Sequence, residues 1–401
     1  MTARTRREHG SGGVYQRASD GRWIATIEAG TTISGTRRRI TVSAKTESEC
    51  KAKLKKKRQE IDLNGAPAAG VHGSTTVKTW AAEWLKMHER AVRPKTFATD
   101  RSSVGRWIIP TIGRRRLAEL TPADVRQVTT AVSDAGRSST TARYAQGVLT
   151  RMLRAAIVEG HAVPQRVLMT KAPAKAASTR GAIPIEQAKA ILAVAADQPG
   201  GSRWVAALLQ GMRQAECIGL TWECVDFDRG LIDVSWQLQQ LPYKDRARGI
   251  FRVPDGYEAR QLRLSWHLVR PKTSSGYRVL PMLPWFATSL QTWKAIAPES
   301  KYGLVWARPN GDPLDPPEDS EAWNATQEAA GVAKADGERY TLHEARHTTA
   351  TLLMEANVPD VVVTSILGHS SIVTSKGYQH AADKQTRDAM EQVAGLLGLG
   401  A

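Results

Sequence analysis

Two short stretches rich in small residues divide the chain into three segments with different hydrophobic periodicities. The stretches 64–74 (NGAPAAGVHGS) and 171–182 (KAPAKAASTRGA) have the composition of linkers. A chain of 401 residues is long enough for two or three domains that each bury a core. We therefore predict three domains, at 1–63, 75–170 and 183–401.

The charge of the chain indicates a polyanionic partner. The 56 lysines and arginines outnumber the 39 aspartates and glutamates, which leaves a net charge of +17 and a pI near 10. Such an excess is most often found in proteins that bind nucleic acid, although a solvated basic surface gives the same balance.

Cysteine usage and hydropathy argue against several other classes. The three cysteines are too few and too scattered for a disulfide framework or a cysteine zinc site, and we expect Cys217 and Cys224 in the core. No apolar run approaches the roughly 18 residues of a membrane span. The N-terminal stretch MTARTRREHGSGG lacks an apolar signal core. We therefore expect a cytoplasmic protein with no membrane partner.

The first segment predicts a three-stranded sheet followed by a helix. Trp23, Ala25 and Ile27 alternate with their neighbours at the period of a strand, and Thr46 and Glu49 form a capping box before a basic helix. The segment holds 15 lysines and arginines against 7 acids. A basic sheet of this kind can lie in a DNA groove and contact phosphates. The candidate contacts are Arg17, Arg22, Arg37, Arg38 and Arg39.

The second segment predicts only helices, and the third predicts helices mixed with strands. Apolar residues from Val77 to Leu85 recur at helical spacing, and Pro110 is expected to end the second helix. In the third segment LIDVSWQLQQ, QLRLSWHLV and GYRVLPM are strand-like, and 239–262 is an irregular or hairpin insertion. The fold class is therefore multidomain: a small sheet-plus-helix domain, an all-α domain and a mixed α+β domain.

Six residues that suit phosphate chemistry follow one another in the third segment. They are Arg213 in GMRQAEC, Lys272 in RPKTSSGYR, His343 and Arg346 in LHEARH, and His369 and Tyr378 in LGHSSIVTSKGY. In this order, and with nine positions from 369 to 378, the sequence resembles the tyrosine recombinases, the phage integrase family. The resemblance covers roughly 183–395. The helical segment is similar to the family's core-binding domain, and 1–63 is similar to the arm-type DNA-binding domain of lambda-type integrases.

The arginines have a role that follows from their chemistry. Attack on a DNA phosphodiester builds negative charge on the non-bridging oxygens, and guanidinium groups bind such oxygens with paired donors that stay charged. Arg213 and Arg346 are the predicted clamp. Glu216 lies one helical turn after Arg213 and can pair with it, and the resemblance gives this acid a supporting role.

The resemblance assigns the remaining roles. Tyr378 is the nucleophile, and its phenol, with an ordinary pKa of about 10, needs a nearby charge or base to react. His343 is the acid–base partner and His369 a hydrogen-bond donor to the scissile phosphate. Lys272, in an expected β-hairpin turn, protonates the leaving 5′ oxygen.

The segment LHEARH also matches H-E-x-x-H, the helix signature of zinc proteases. A zinc site needs a third ligand, and the next acid, Glu355, follows His347 too closely to come from a separate helix. Arg346 would also repel a metal ion beside it. We therefore expect no metal site, and phosphotyrosine chemistry needs no cofactor because the covalent link conserves the phosphodiester bond energy.

The resulting hypothesis is a site-specific DNA recombinase that integrates or excises a phage or mobile element through a 3′-phosphotyrosyl intermediate. The expected partners are double-stranded DNA with core-type and arm-type sites, a homotetramer on that DNA, a directionality factor and a DNA-bending host protein. The place of action would be the nucleoid in the bacterial cytoplasm. Alternatives are a Xer-type resolvase, a type IB topoisomerase-like enzyme and a non-catalytic DNA-binding accessory protein.

The C-terminal stretch 383–401 carries an apolar stripe. Met390, Val393, Leu396 and Leu397 lie on one face of the expected helix. Two arrangements are open: the helix packs on its own domain, or it docks on a neighbouring protomer of a tetramer.

Overall fold

A computed structural model describes residues 13–31, 37–64, 74–176, 181–271, 277–368 and 379–398. The chain forms two compact units, Met1–Ala177 and Ser178–Ala401. No helix in the described ranges has the length and apolar character needed to cross a bilayer.

The N-terminal unit begins with a three-stranded antiparallel sheet and a helix, as the alternating pattern predicts. The three strands lie in the sheet in their sequence order, and the central strand pairs Trp23 with Ala44 of the third strand. Ala25, Ala44 and Cys50 form a small core between the sheet and the helix. The amide of Glu49 donates to Oγ1 of Thr46 at 3.3 Å, so the expected cap begins the helix. The elements are β1 (Val14–Gln16), β2 (Trp23–Thr31), β3 (Arg37–Ala44) and α1 (Glu47–Asn64).

The rest of this unit is helical. Trp80 and Trp84 lie in its core, as the stripe predicted, and the Trp80 indole donates to the carbonyl oxygen of Met152 at 2.8 Å. Thr121 caps the helix that starts at Pro122. The helices are α2 (Val77–Ala91), α3 (Pro94–Ser103), α4 (Ile109–Ile112), α5 (Pro122–Asp134), α6 (Ser139–Val158) and α7 (Gln165–Leu168).

Pro110 does not end the second helix, and that prediction is wrong. A π-helical turn, Val104–Ile108, follows α3 and leads directly into α4, where proline occupies the first turn. The amide of Ile109 donates to the carbonyl of Val104, five residues earlier. Proline cannot donate an α-helical hydrogen bond and its ring crowds the preceding turn, and a wider turn before it accommodates both effects.

A buried carboxylate links three helices of this unit. The side chain of Asp100 is fully buried and accepts hydrogen bonds from Tyr144 Oη at 2.5 Å, His88 Nε2 at 2.7 Å and Arg151 Nη2 at 2.9 Å. Burial raises the pKa of this carboxyl, but the bonds from Tyr144 and His88 and the charge of Arg151 outweigh it, so the pKa lies below its usual value.

Replacing this carboxylate should destabilise the protein. We expect Asp100→Asn to lower the free energy of unfolding by about 2 kcal/mol, since an amide cannot accept from all three donors and removes the buried negative charge. Because the folded-state pKa is depressed, the stabilisation is present above the ordinary pKa of 3.8 and is lost as the pH falls through the folded value. Urea unfolding near neutral pH measures the difference, and exposed Asp134→Asn is the matched control. Equal midpoints would contradict a stabilising role.

The C-terminal unit mixes helices with small antiparallel sheets. The strands are β4 (Val225–Asp226), β5 (Leu231–Val234), β6 (Gln237–Gln240), β7 (Tyr243–Asp245), β8 (Ile250–Phe251), β9 (Ala259–Gln261), β10 (Trp266–Val269) and β11 (Arg278–Pro281). The sheets have the orders β11-β5-β4, β6-β10-β9 and β7-β8. The helices are α8 (Ile185–Ala196), α9 (Ser202–Leu208), α10 (Gln214–Cys217), α11 (Pro284–Ile296), α12 (Pro316–Ala329), α13 (Leu342–Glu355), α14 (Asp360–Leu367) and α15 (Gln379–Leu396).

Several strand-like segments are divided differently from the prediction. LIDVSWQLQQ forms β5 and β6, which belong to two sheets, and QLRLSWHLV turns at Leu264 (φ 50°) between β9 and β10. The sequence predicts a β-hairpin around Lys272, but the described parts of the two flanking strands, β10 and β11, do not pair with each other. In the described residues β10 pairs with β6 and β9, whereas β11 pairs with β5. The insertion does contain a hairpin, β7 with β8.

The core of this unit includes both predicted cysteines and the C-terminal helix. Cys217 and Cys224 are buried. Met390, Val393 and Leu397 are buried as well, and α15 packs on α13, α14 and β11 of its own unit, which is the first of the two arrangements considered. Leu396 is 40% exposed.

Candidate active site

Arg213 stands at the start of helix α10, after a left-handed turn. Gly211 has φ 59°, and a side chain there would come within 2.7 Å of Leu367. This turn directs Arg213 toward Glu216: its backbone amide and its Nη1 donate to the two carboxylate oxygens at 2.8 and 2.6 Å. The second nitrogen, Nη2, donates to the carbonyl of Gly368 at 3.1 Å. The predicted Arg213–Glu216 pair is therefore present.

Arg346 reaches the same place from helix α13. The helix begins at a capping box in which Thr341 and Glu344 exchange hydrogen bonds, and Arg346 follows within the second turn. Its guanidinium is buried and donates to the carbonyl oxygens of Gly211 and Leu367. Arg346 thus binds the carbonyl two residues before Arg213, and it also binds the carbonyl of Leu367, next to the Gly368 carbonyl that Arg213 binds. The same two backbone segments therefore hold both predicted clamp residues close together.

The positive charges of this cluster repel one another. Burial and the positive charges of Arg213 and Arg278 lower the pKa of Arg346 to about 9, while Glu216 partly offsets them. The group nevertheless remains protonated at neutral pH. A concentration of positive charge in a poorly solvated site is the arrangement that binds a phosphate strongly.

His343 lines the same cleft as the two arginines. Arg213, His343 and Arg346 face it, and His343 precedes Arg346 by one helical turn. The His343 ring lies edge-on to that of His347 with centroids 4.8 Å apart. Other walls of the cleft come from Gln214, Ser320, Asn324, Arg339 and Tyr340. Three predicted site residues are thus brought together, and their individual roles stay predictions.

The side chain of Glu344 caps the start of helix α13 and does not line the cleft. Its buried carboxylate accepts from the amide and hydroxyl of Thr341 at 2.7 and 2.9 Å and pairs with Lys334 at 3.0 Å. Burial raises the pKa of this carboxyl, but the bonds from Thr341 and Lys334 prevail and lower it. The acid of the H-E-x-x-H match therefore lies in a capping box and is not among the residues that line the cleft.

Arg278 is a member of the cluster that sequence reasoning missed. It lies in β11, buried, and donates to both oxygens of Glu216, from Nη1 at 3.2 Å and from Nη2 at 2.8 Å. Burial raises the pKa of Glu216, yet the charges and bonds of Arg278 and Arg213 lower it to about 2. The available signal was an arginine at an inward position of a short apolar strand, which requires a buried partner.

The other three predicted catalytic residues lie outside the described residues. Lys272 falls between Pro271 and Tyr277, and His369 directly follows Gly368. Tyr378 directly precedes helix α15.

Comparison with known proteins identifies the family of the chain that carries this cleft. Residues 183–385 match the model of the phage integrase family, and residues 77–168 match that of the phage integrase central domain. The first match alone covers half of the chain. The chain belongs to the phage integrase family. It is a site-specific tyrosine recombinase, and the family resemblance predicted from the motifs is confirmed.

Relatives and solved structures of integrases agree over most of the chain. An integrase of Streptomyces ambofaciens is 29% identical over 98% of this chain and 97% of its own. The Tn1549 transposon integrase in complex with transposon right end DNA shares the fold, with TM-score 0.62 and 18% identity over 78% of this chain and 99% of that one. A lambda integrase tetramer bound to a Holliday junction has TM-score 0.53 and 17% identity over 92% and 98%. The predicted fold class is confirmed.

Four of the five N-terminal arginines of this integrase are described, and all four are exposed. Arg17 pairs with Asp20 in the first turn, with Nε 2.9 Å from Oδ1, and Arg37 lies 3.6 Å from Glu28. Arg22 and Arg39 are exposed. The side chain of Arg38 lies outside the described part of the structure. Nothing in these contacts opposes DNA binding, which stays a prediction for all five residues.

Proposed function

We propose that this recombinase integrates or excises a phage or mobile element by cutting and rejoining DNA through a bond between the 3′ phosphate and Tyr378. The observation that carries the proposal is the convergence of Arg213, Arg346 and His343 on one cleft. Two guanidinium groups supply positive charge for a pentavalent phosphorus, and an imidazole beside them can accept a proton.

The chemical step conserves the phosphodiester energy. The Tyr378 oxygen attacks phosphorus, its proton passes to His343, and the bond from phosphorus to the 5′ oxygen breaks. Lys272 gives a proton to that oxygen, and His369 donates a hydrogen bond to the phosphate. In rejoining, a 5′ hydroxyl gives its proton to Lys272 and attacks the phosphotyrosine, the bond from phosphorus to the Tyr378 oxygen breaks, and His343 returns a proton to that oxygen. Arg213 and Arg346 bind the non-bridging oxygens in both directions, with Glu216 holding Arg213 in place.

The three parts of the chain would divide DNA recognition between them. We assign arm-type sites to residues 1–63 and core-type sites to 75–170 and 183–401, with 64–74 and 171–182 as linkers. The lambda integrase that shares this fold is a tetramer on a Holliday junction, which supports a tetramer here. A directionality factor, a DNA-bending host protein and action on the bacterial nucleoid complete the proposal.

The integrase role is favoured over the alternatives. The Streptomyces relative that matches nearly the whole chain is an integrase, and the match includes the N-terminal region. The cleft with its paired guanidinium groups also favours a catalyst over a non-catalytic accessory protein, because DNA binding alone needs no such buried cluster. A Xer-type resolvase or a type IB topoisomerase-like enzyme shares the chemistry but has no use for an arm-binding domain.

Covalent trapping tests this function. The purified protein is incubated with DNA from the flanks of its own gene, nicked beside candidate sites so that the cut fragment diffuses away and cleavage cannot reverse. We expect a protein–DNA adduct that survives denaturation and forms equally with EDTA. DNA binding without adduct at any site would favour the accessory role, and an adduct lost with EDTA would favour a metal-dependent reaction.

A further inference from the structure

Arg278 contacts the predicted catalytic cluster through Glu216. It projects from strand β11 with its side chain 5% exposed, and its guanidinium donates to both oxygens of Glu216. Arg278 does not line the cleft itself. We propose that Arg278 is a positioning residue for strand cleavage: it neutralises Glu216, so that Arg213 keeps its orientation and its positive charge for the scissile phosphate. This inference rests on the proposed function.

The geometry shows how the carboxylate is shared. Oε1 of Glu216 accepts from Arg213 Nη1 at 2.6 Å and from Arg278 Nη1 at 3.2 Å. Oε2 accepts from the Arg213 backbone amide and from Arg278 Nη2, each at 2.8 Å. Arg278 binds across both oxygens and fixes the carboxylate plane. The orientation of the carboxylate in turn fixes Nη1 of Arg213, the side-chain nitrogen that donates to Glu216. Paired guanidinium–carboxylate hydrogen bonds, such as those of Arg278, hold the two planar groups in one relative orientation.

The ion pair between Arg278 and Glu216 also sets the net charge of the cluster. Three guanidinium groups, of Arg213, Arg278 and Arg346, carry three positive charges, and Glu216 subtracts one, which leaves +2. Without Arg278 the net charge is +1, and Glu216 has Arg213 as its remaining guanidinium partner in the described contacts. Glu216 is 2% exposed, so water screens this change poorly. The positive potential at the cleft therefore depends on a residue that does not touch the phosphate.

The alternative is that Arg278 only satisfies a buried carboxylate for folding. The two roles predict different effects of a second substitution, at Glu216, on the cleavage rate of the Arg278 variant. If the charge of the cluster matters, Glu216→Gln combined with Arg278→Met restores the net +2, and the amide oxygen can still accept from Arg213, so that activity should be partly recovered. If only folding matters, the double variant should be no better than the single one.

The experiment measures single-turnover cleavage of nicked attachment-site DNA by full-length Arg278→Met, Arg278→Lys and Glu216→Gln/Arg278→Met. We expect Arg278→Met to slow cleavage by on the order of 10- to 100-fold with DNA affinity little changed, as when outer partners of a preorganised site are lost. Arg278→Lys should recover much of the rate, and the double variant should exceed Arg278→Met. Arg263→Met, which breaks a 3.1 Å ion pair with Asp312 in the same unit, is the control and should cleave normally.

A second substrate separates charge from structure. In a methylphosphonate, a methyl group replaces one non-bridging oxygen and the scissile phosphate is neutral, so the cluster has less charge to stabilise. The deficit of Arg278→Met should shrink on this DNA. An equal deficit on both substrates, a double variant no faster than Arg278→Met, or normal cleavage by Arg278→Met would each overturn the inference. If Arg278→Met does not fold, Arg278→Lys and the double variant still give the comparison.

Failure of this inference is distinguishable from failure of the proposed function. Arg213→Lys is run beside the other variants. Slow cleavage by Arg213→Lys with normal cleavage by Arg278→Met rejects the positioning role alone. Normal cleavage by Arg213→Lys rejects the proposed clamp, and with it the basis for the role of Arg278.

Discussion

Replacing Tyr378 with phenylalanine should eliminate the covalent protein–DNA adduct while leaving DNA binding intact. The substitution removes one oxygen, the atom proposed to attack phosphorus, and nothing that binds DNA. Loss of a nucleophile typically slows the chemical step by at least ~10⁴-fold. A phenol with an ordinary pKa of about 10 also needs nearby positive charge to react, and in the proposed mechanism Arg213 and Arg346 supply it.

The measurement is adduct formation on nicked attachment-site DNA, beside equilibrium binding of the same DNA. Tyr302→Phe is the matched control, since Tyr302 lies in the same unit away from the cleft, and it should form adduct normally. An adduct retained by Tyr378→Phe would mean that another tyrosine attacks. Tyr340 would then be the first candidate, because it lines the cleft.

The sequence predicted the parts of this molecule that depend on local pattern. The helical stripe through Trp80 and Trp84 specifies which face is buried, and that face is found in the core. The alternation around Trp23 correctly predicts a strand with Ala25 and Ile27 buried, but Ile24 on the opposite face is buried as well. The order of the motifs located Arg213, His343 and Arg346 in one cleft, although Arg213 is more than a hundred residues from the other two in the chain. A family pattern carries such long-range information, whereas periodicity alone does not.

What the sequence did not predict depends on contacts between distant residues. Arg278 reaches Glu216 across 62 positions, and Asp100 gathers partners from two other helices. Arg278 and Asp100 have their partners at distant positions in the sequence, so their burial and pairing become visible only in three dimensions. Strand pairing failed for the same reason: β10 and β11 are adjacent in sequence, but each finds its partner in a different sheet.

Arg346→Lys should slow cleavage by about 10²-fold at neutral pH, within the range seen when one preorganised donor to a developing charge is lost. Lysine has a single ammonium and cannot replace the paired donors of a guanidinium. It would also leave at least one of the carbonyls of Gly211 and Leu367, which Arg346 binds, without its donor. Single-turnover cleavage measures the loss, and Arg308→Lys, in an ion pair with Asp315 and Glu318, is the control.

The pH dependence of this variant separates charge from geometry. Burial and the neighbouring charges of Arg213 and Arg278 lower the pKa of Arg346 to about 9, so wild type stays charged near neutrality. The same surroundings acting on a lysine would lower its pKa below the ordinary value of about 10.4. Because the cation is the active form, the rate of Arg346→Lys relative to wild type should fall as the pH rises toward that lowered pKa. A constant ratio would mean that the fork of donors, and not the charge, is what Arg346 contributes to catalysis.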